Sequence, residues 1–498
     1  MIIFKRVIIF LLALSFFITC FAAEIHKAAL EGDIEKIKIL LKKTPGLLNA
    51  RDEGGMTPLI MAIIGDKKEL IKLLLDSGAD VTAANNAGFT ALDSAVFSGN
   101  KETVELLIAK GADVNTKSML GTTPLLLSVT RGHSKLLDVL IKKGASVDVS
   151  DNMGSTPLLL AALTGKRTMV ELLIGKGVDM NRANNRGSTP LSVADREGYK
   201  EIVDLLLAKG AANTLRNRPV LQGDYLGQAK PGQVPVIFAP GFVSTEIPQL
   251  NAVFTPDGKE FYFSVRKTNA PFAIMVTKLV NNRWTKPEIA PFSGTYSDVD
   301  QSIAADGKTF FFCSNRPVNK GGKTKDHDFW VMERTGAGWG EPFHLGFEVN
   351  TDKEDFYPTV TRDGTLYFSS QREGQGTNNV YRSRLVNGKY TKAEKLSDAV
   401  NTRHREFDPF IAADESFIIF ASGRPGGYGA SDLYVSFRQK DGTWKKAKNM
   451  GSTINSERSD YTPMLSPDGK YLFFTSGRGG VDDIYWVDAG IIEKLKKE

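Results

Sequence analysis

A threonine recurs every 33 residues through the first half of this 498-residue chain, at Thr57, Thr90, Thr123, Thr156 and Thr189. Two residues before each stands a glycine: Gly55, Gly88, Gly121, Gly154 and Gly187. Two residues after each stands a leucine: Leu59, Leu92, Leu125, Leu158 and Leu191. In four units proline lies between, at Pro58, Pro124, Pro157 and Pro190. A threonine side chain accepts the free N–H groups at a helix start, and proline's fixed φ suits the first helical turn. Each unit continues into a second apolar stretch, such as Leu70-Ile71-Lys72-Leu73-Leu74-Leu75, and closes on Gly78, Gly111, Gly144, Gly177 or Gly210. Glycine there provides the left-handed residue that ends a helix. A single helix pair cannot bury its own apolar face, so the units must stack. Residues 24–49 read as a helix pair without the opening hairpin, as a terminal cap would.

These residues resemble the ankyrin repeat family over 24–213, as a cap plus five repeats. The resemblance implies an all-α solenoid that binds proteins with its hairpin tips and the inner face of its first helices. On that basis the tip candidates are Asn86, Phe89, Met119, Leu120, Met153 and Arg186, and the inner-helix candidates are Ile64, Phe97, Arg131, Leu163 and Arg196. The histidine usual after Thr-Pro-Leu is replaced by Ile60, Asp93, Leu126, Leu159 and Ser192. That removes a hydrogen bond between neighbouring repeats.

The period breaks at 214–234, a stretch rich in Gly, Pro, Gln and Asn that reads as a linker, in which Leu221, Tyr225 and Leu226 are apolar enough to dock on a neighbour. Beyond it a second repeat begins, built on strands. Its core is a tight Asp-Gly-like turn at Asp257, Asp306, Asp363, Asp414 and Asp468, followed by an aromatic or β-branched run. The runs are Phe261-Tyr262-Phe263, Phe310-Phe311-Phe312, Leu366-Tyr367-Phe368, Phe417-Ile418-Ile419 and Tyr471-Leu472-Phe473. A third strand follows each, and Trp284, Trp339, Tyr390 and Trp444 mark a fourth. Four-stranded units repeated radially describe a propeller, here of five blades over 235–488. The fifth unit has no fourth strand of its own. Val236-Ile237-Phe238, ahead of the first blade, is expected to supply it and close the ring. Residues 489–498 read as a C-terminal tail.

The pattern Ser-Pro-Asp-Gly-Lys, aromatic strand, Ser-x-Arg resembles the TolB-like, WD-like propeller repeat family over 245–488. That resemblance implies protein binding in the periplasm. One mouth of the channel should carry a polar ring. Asp298, Asp355, Glu406 and Asp460 open the inner strands, with Gln249 in their place in the first blade. Arg266, Arg316, Arg372, Arg424 and Arg478 end the second strands. An arginine for every acid, repeated blade after blade, suits pairing that locks loops. The non-repeating Asp300, Tyr357, Asp408, His327, His404 and Arg405 are the propeller-mouth candidates. Asp300 and Asp408 could form a carboxylate pair for glycan binding or glycoside hydrolysis, although nothing in their spacing demands it.

The N-terminus reads as an export signal at 1–22: Lys5-Arg6, an apolar run from Val7 to Thr19, and small residues at Cys20 and Ala22. Cleavage after Ala22 competes with lipid attachment at Cys20, the only expected membrane link. Export places the protein in the periplasm or cell envelope, as a lipoprotein or in soluble form, or outside the cell as a secreted protein. Net charge is +6, with both signs interspersed, which gives no support to a nucleic-acid partner. After cleavage only Cys313 remains, buried in an apolar strand, so no disulfide or cysteine metal cluster is expected. The five histidines, His26, His133, His327, His344 and His404, show no metal-ligand spacing. No nucleophile elbow, zinc-protease helix or phosphate loop occurs, so neither catalytic residues nor a cofactor is expected. The sequence therefore points to an ankyrin solenoid followed by an all-β propeller, acting as an interaction scaffold. A glycan-binding or hydrolytic propeller with an ankyrin adaptor is the alternative.

Overall fold

The computed structural model describes residues 23–213, 221–266, 270–319, 322, 326–336, 338–374 and 376–497. Residues 1–22, where a leader and Cys20 as a lipid site are expected, lie outside them. The chain forms two compact units that meet at Arg218 and Pro219 in sequence.

In the first unit, residues 23–31 and Ile34–Lys43 are helical, and a short turn at Pro45–Asn49 completes the cap. Five helix pairs follow. The inner helices are Pro58–Ile64, Ala91–Ser98, Pro124–Arg131, Pro157–Leu163 and Pro190–Arg196. The outer ones are Lys68–Asp76, Lys101–Ala109, Ser134–Lys142, Arg167–Ile174 and Lys200–Ala208. Every inner helix is capped by its repeat threonine, whose side chain accepts the N–H three residues on. Leu59, Leu92, Leu125, Leu158 and Leu191 are buried in one continuous core. The outer helices differ: only Asn100 caps by side chain, while Lys67, His133, Lys166 and Tyr199 stand at the cap without such a bond. Without the usual histidines, repeats are tied at the hairpin tips. The side-chain amides of Asn86, Asn152 and Asn185 donate to the carbonyls of Glu53, Met119 and Asn152 at 2.8, 2.9 and 3.0 Å. Gly55 and Gly121 make room: a Cβ on either would lie within 2.5 Å of the partner asparagine.

The second unit is a five-bladed propeller of antiparallel sheets. The inner strands are Gln249–Phe254, Asp298–Ile303, Asp355–Val360, Glu406–Ile411 and Asp460–Leu465, opening blades one to five. The fifth blade's outer strand is Val236–Ile237, paired with the chain's last strand through Val236↔Trp486 and Ile237↔Tyr485. The ring is therefore closed as the sequence pattern predicts. Phe238 anchors the closure, fully buried against Phe254, Phe261, Phe473 and Trp486.

Three sequence expectations need correction. Trp284, Trp339, Tyr390 and Trp444 do not mark the fourth strands. They lie on short returns where the chain doubles back, Trp284 opposite Leu279 and Trp339 opposite Arg334. The reversals at Asn281-Asn282 and Asn387-Gly388 have positive φ at both residues, the geometry of tight hairpins. The fourth strands come later, at Glu288–Ile289, Phe343–His344, Glu394–Lys395 and Lys448–Asn449. Next, the segment from Leu221, read as linker, belongs to the propeller. Trp284 donates its backbone N–H to Leu221 and its indole N–H to Gly223, at 2.9 and 2.8 Å, and Leu226 is fully buried. Finally, the C-terminal tail is a docked helix, Gly490–Lys497, with Ile492 and Leu495 buried beside Val435 and Phe474.

Candidate functional site

The inner strands of blades two to five each open on a buried acid, and an arginine of the same blade reaches it. Arg316 meets Asp298 at 2.8 Å, Arg372 meets Asp355 at 3.2 Å, Arg424 meets Glu406 at 3.1 Å and Arg478 meets Asp460 at 3.0 Å. Each guanidinium also donates to a serine two residues earlier, Ser314, Ser370, Ser422 or Ser476. Each donates again to a carbonyl of the loop entering its blade: Phe292, Val349, Val400 or Ile454. The pairing is thus within blades, and the loop carbonyl is what links one blade to the last. Thr351, Thr402 and Ser456 give their backbone N–H groups and hydroxyls to the acid four residues on.

Sequence reading passed over Asn350, Asn401 and Asn455. Each accepts the N–H, and donates to the carbonyl, of one residue on the preceding blade's third strand: Phe329, Val380 and Leu433. The signal was present as Val-Asn-Thr, Val-Asn-Thr and Ile-Asn-Ser at 349–351, 400–402 and 454–456. The first blade lacks the cassette. Gln249 bonds Thr245 instead, and the exposed Arg266 lies over Phe272 at 5.0 Å.

Two residues into each inner strand the backbone turns left-handed, with φ of 49° at Asn251, 55° at Asp300, 56° at Tyr357, 50° at Asp408 and 48° at Thr462. The pairing of first and second strands slips at this point in every blade. Strain of this kind, of order 1–3 kcal/mol per residue, persists only where the surroundings impose it. Tyr357 reaches from blade three to blade five, where its hydroxyl donates to the Pro463 carbonyl at 2.7 Å. Asp300 and Asp408 are each 8% exposed. Burial pushes Asp300 up to about 7, although His327 and the Tyr357 N–H pull the other way. Burial, then the charge of Asp300, lifts Asp408 well above the carboxylate range. Burial also raises the Tyr357 hydroxyl and the Cys313 thiol.

His327 joins this group, bridging Glu354 at 2.9 Å and Ser297 at 3.0 Å. Burial disfavours the Glu354 charge, but the hydrogen bond and charge of His327 prevail and hold its carboxyl low. Arg405 lies over the Phe407 ring at 5.5 Å and favours the charged form of Asp408. His404 is drawn aside to Arg403 at 3.4 Å. Two acids raised by burial, both slightly exposed, can give and take a proton or accept hydrogen bonds from a ligand. Among the described residues no three His, Cys, Asp or Glu side chains group as a metal centre.

On the repeat unit, Ile64 and Phe97 are about half exposed at the ends of consecutive inner helices. Arg131 of the next repeat lays its guanidinium over the Phe97 ring at 3.4 Å. Met119 and Leu120 are exposed at a hairpin tip, Met119 to 69%. Phe89, Met153, Leu163 and Arg196 are half-buried. Asn86 is exposed, but its side chain is committed to the neighbouring repeat. Arg186 is corrected: at 6% exposed it is a packing residue of the tip, near the Met153 sulfur, not an accessible contact.

The ankyrin repeats family matches residues 25–118 and 125–217, so the first unit is an ankyrin array. Its repeats resemble those of the human DNA-binding protein RFXANK, 41% identical over 56 residues. They also resemble those of the NAD-capped RNA hydrolase NUDT12 from Macaca fascicularis and from human, 42% identical over 57 residues in each. These matches cover 11% of this chain, 22% of RFXANK and 12% of NUDT12. They concern the repeats alone.

Proposed function

We propose that the protein is an exported interaction scaffold of the cell envelope, holding protein partners on the inner-helix face of its ankyrin array and at the mouth of its propeller. The observation that carries this reading is the half-exposed Phe97 beneath Arg131, with Ile64 one repeat away and Met119 and Leu120 at a tip. Exposed apolar side chains grouped on a stacked array are characteristic of a protein-binding surface. Ankyrin and propeller folds typically serve protein interaction, and the propeller's Ser-Pro-Asp-Gly-Lys pattern supports kinship with TolB-like repeats. In-cell crosslinking followed by mass spectrometry tests the reading. Specific protein neighbours attached near Phe97 or Met119 are expected, and a chain that crosslinks to nothing specific would defeat it. Export through the 1–22 segment is tested by fractionation. Release into the periplasmic fraction, unaffected by Cys20→Ser, is the outcome for cleavage after Ala22. Membrane retention that Cys20→Ser abolishes is the outcome for a lipid anchor.

The second reading, a glycan ligand at the propeller mouth, is favoured by one observation: the acids Asp300 and Asp408, each 8% exposed at the same left-handed position of the inner strands of blades two and four. A glycan array with the full chain should then give signals that Asp300→Asn and Asp408→Asn both remove. Signals unaffected by either change place any glycan elsewhere.

A further inference from the structure

We propose that the inner-helix face of the ankyrin array, with the row of turns beside it, docks an acidic, amphipathic segment of another protein. This rests on the interaction reading above and names the chemistry of its partner.

The row consists of the turns between inner and outer helices together with the helix ends that flank them, at 65–68, 98–101, 131–135, 164–167 and 196–200. They contain nine lysines and arginines against two acids, Asp66 and Glu197. That surplus of seven exceeds the net charge of the whole chain, +6. Five more acids lie just behind in the outer helices: Glu69, Glu102, Glu105, Glu171 and Glu201. Glu105 pairs with Lys101 at 3.7 Å, and Glu171 and Glu201 pair with Arg167 at 3.0 and 3.2 Å. With all of them counted the row still keeps a small basic surplus, of two.

The cations are where helices least favour them. A helix start attracts anions and hydroxyl or carboxyl caps. All five inner helices follow that rule through their threonines. Four of five outer helices have no side-chain cap, and four begin on a cation, Lys68, Lys101, Arg167 and Lys200. These charges add to the positive helix ends instead of cancelling them. The 33-residue period brings them into register, one repeat above the next.

Alongside lies an apolar row at the same spacing: Ile64, Phe97 and, two repeats on, Leu163. Arg131 joins the two rows by resting on Phe97. A ligand matching both needs apolar side chains on one side and carboxylates on the other. An acidic amphipathic peptide has that pattern, while a nucleic acid offers charge without the aliphatic contacts.

The test is fluorescence anisotropy with the full chain and labelled probes. The probe is an 18-residue peptide with leucine at helical spacing and glutamate elsewhere. The controls are the same peptide with lysine for glutamate, polyglutamate, a single-stranded 20-mer DNA, and phosphatidylglycerol vesicles. The acidic amphipathic peptide should bind at least tenfold tighter than any control, and more weakly at 300 mM than at 50 mM NaCl. The triple variant Lys68→Glu, Lys101→Glu, Lys200→Glu should lose binding at least tenfold. Those changes put acids at helix starts, so the fold should keep or raise its melting temperature. Phe97→Ala should weaken binding several-fold. Equal binding of the lysine peptide, tighter binding of DNA or vesicles, or undiminished binding by the triple variant overturns the proposal. Partners that crosslink equally to wild type and triple variant would overturn this docking mode yet leave the scaffold reading standing. A chain with no protein neighbours would remove both.

Discussion

Arg372 satisfies three acceptors at once: the Asp355 carboxylate, the Ser370 hydroxyl and the Val349 carbonyl. Asp355 is wholly buried, so removing the arginine strands a charge away from water. Arg372→Ala should destabilise the propeller by about 3–5 kcal/mol. Arg372→Lys should recover little, because an ammonium cannot span the three positions. Urea unfolding followed by tryptophan fluorescence measures both. Asp300 gives a pH dependence of definite sign. Its folded carboxyl titrates near 7, against about 3.9 in an unfolded chain. The native state therefore holds the proton over that interval and unfolding releases it. The contribution is complete below about pH 4 and is lost as pH rises through 7. The propeller should lose about 2 kcal/mol between pH 5.5 and 8.5, and Asp300→Asn should erase most of that difference. A difference that survives the substitution assigns the titration to another group. The sequence showed the acids and arginines because they recur in register. It did not show the strained backbone at Asn251, Tyr357 and Thr462, since only non-local pairing forces these unlike residues into one conformation.

At the level of elements, the two-residue strand Val236–Ile237 decides whether the ring closes. It was legible because the fifth unit ran out of chain before its fourth strand. The true fourth strands were not, since two residues are too few to show a period of two. Leu221, Tyr225 and Leu226 were legible as apolar enough to dock, but their partners were not, and neither was the terminal helix, because those partners exist only once the blades form. A chain starting at residue 221 should unfold cooperatively on its own, while one starting at 245 should not. Phe238→Ala, which empties the centre of the closing cluster, should cost about 3–5 kcal/mol. Circular dichroism melts of the three proteins check this, and a cooperative melt from the chain lacking 221–244 would refute the role given to the clasp.

For the whole molecule, the separate cores matter most. Leu125 belongs to the ankyrin core and Phe238 to the propeller's. Calorimetry should resolve two transitions, with Leu125→Ala lowering one and Arg372→Ala the other. A single transition moved by both changes would contradict that division. Charge was the property most hidden in the linear text. Lysines interspersed with acids along the chain read as a neutral mixture until a 33-residue spacing stacked them. Closure of the propeller has a consequence in time as well. The Ser244 hydroxyl bonds the Ile484 carbonyl, 240 residues away. While that distant carbonyl is still being synthesised, the growing polypeptide carries two raw β-edges, each a template for sticking to its neighbours. Ribosomes that stall a few dozen codons early would thus release not a slightly shortened protein but a seed for aggregation.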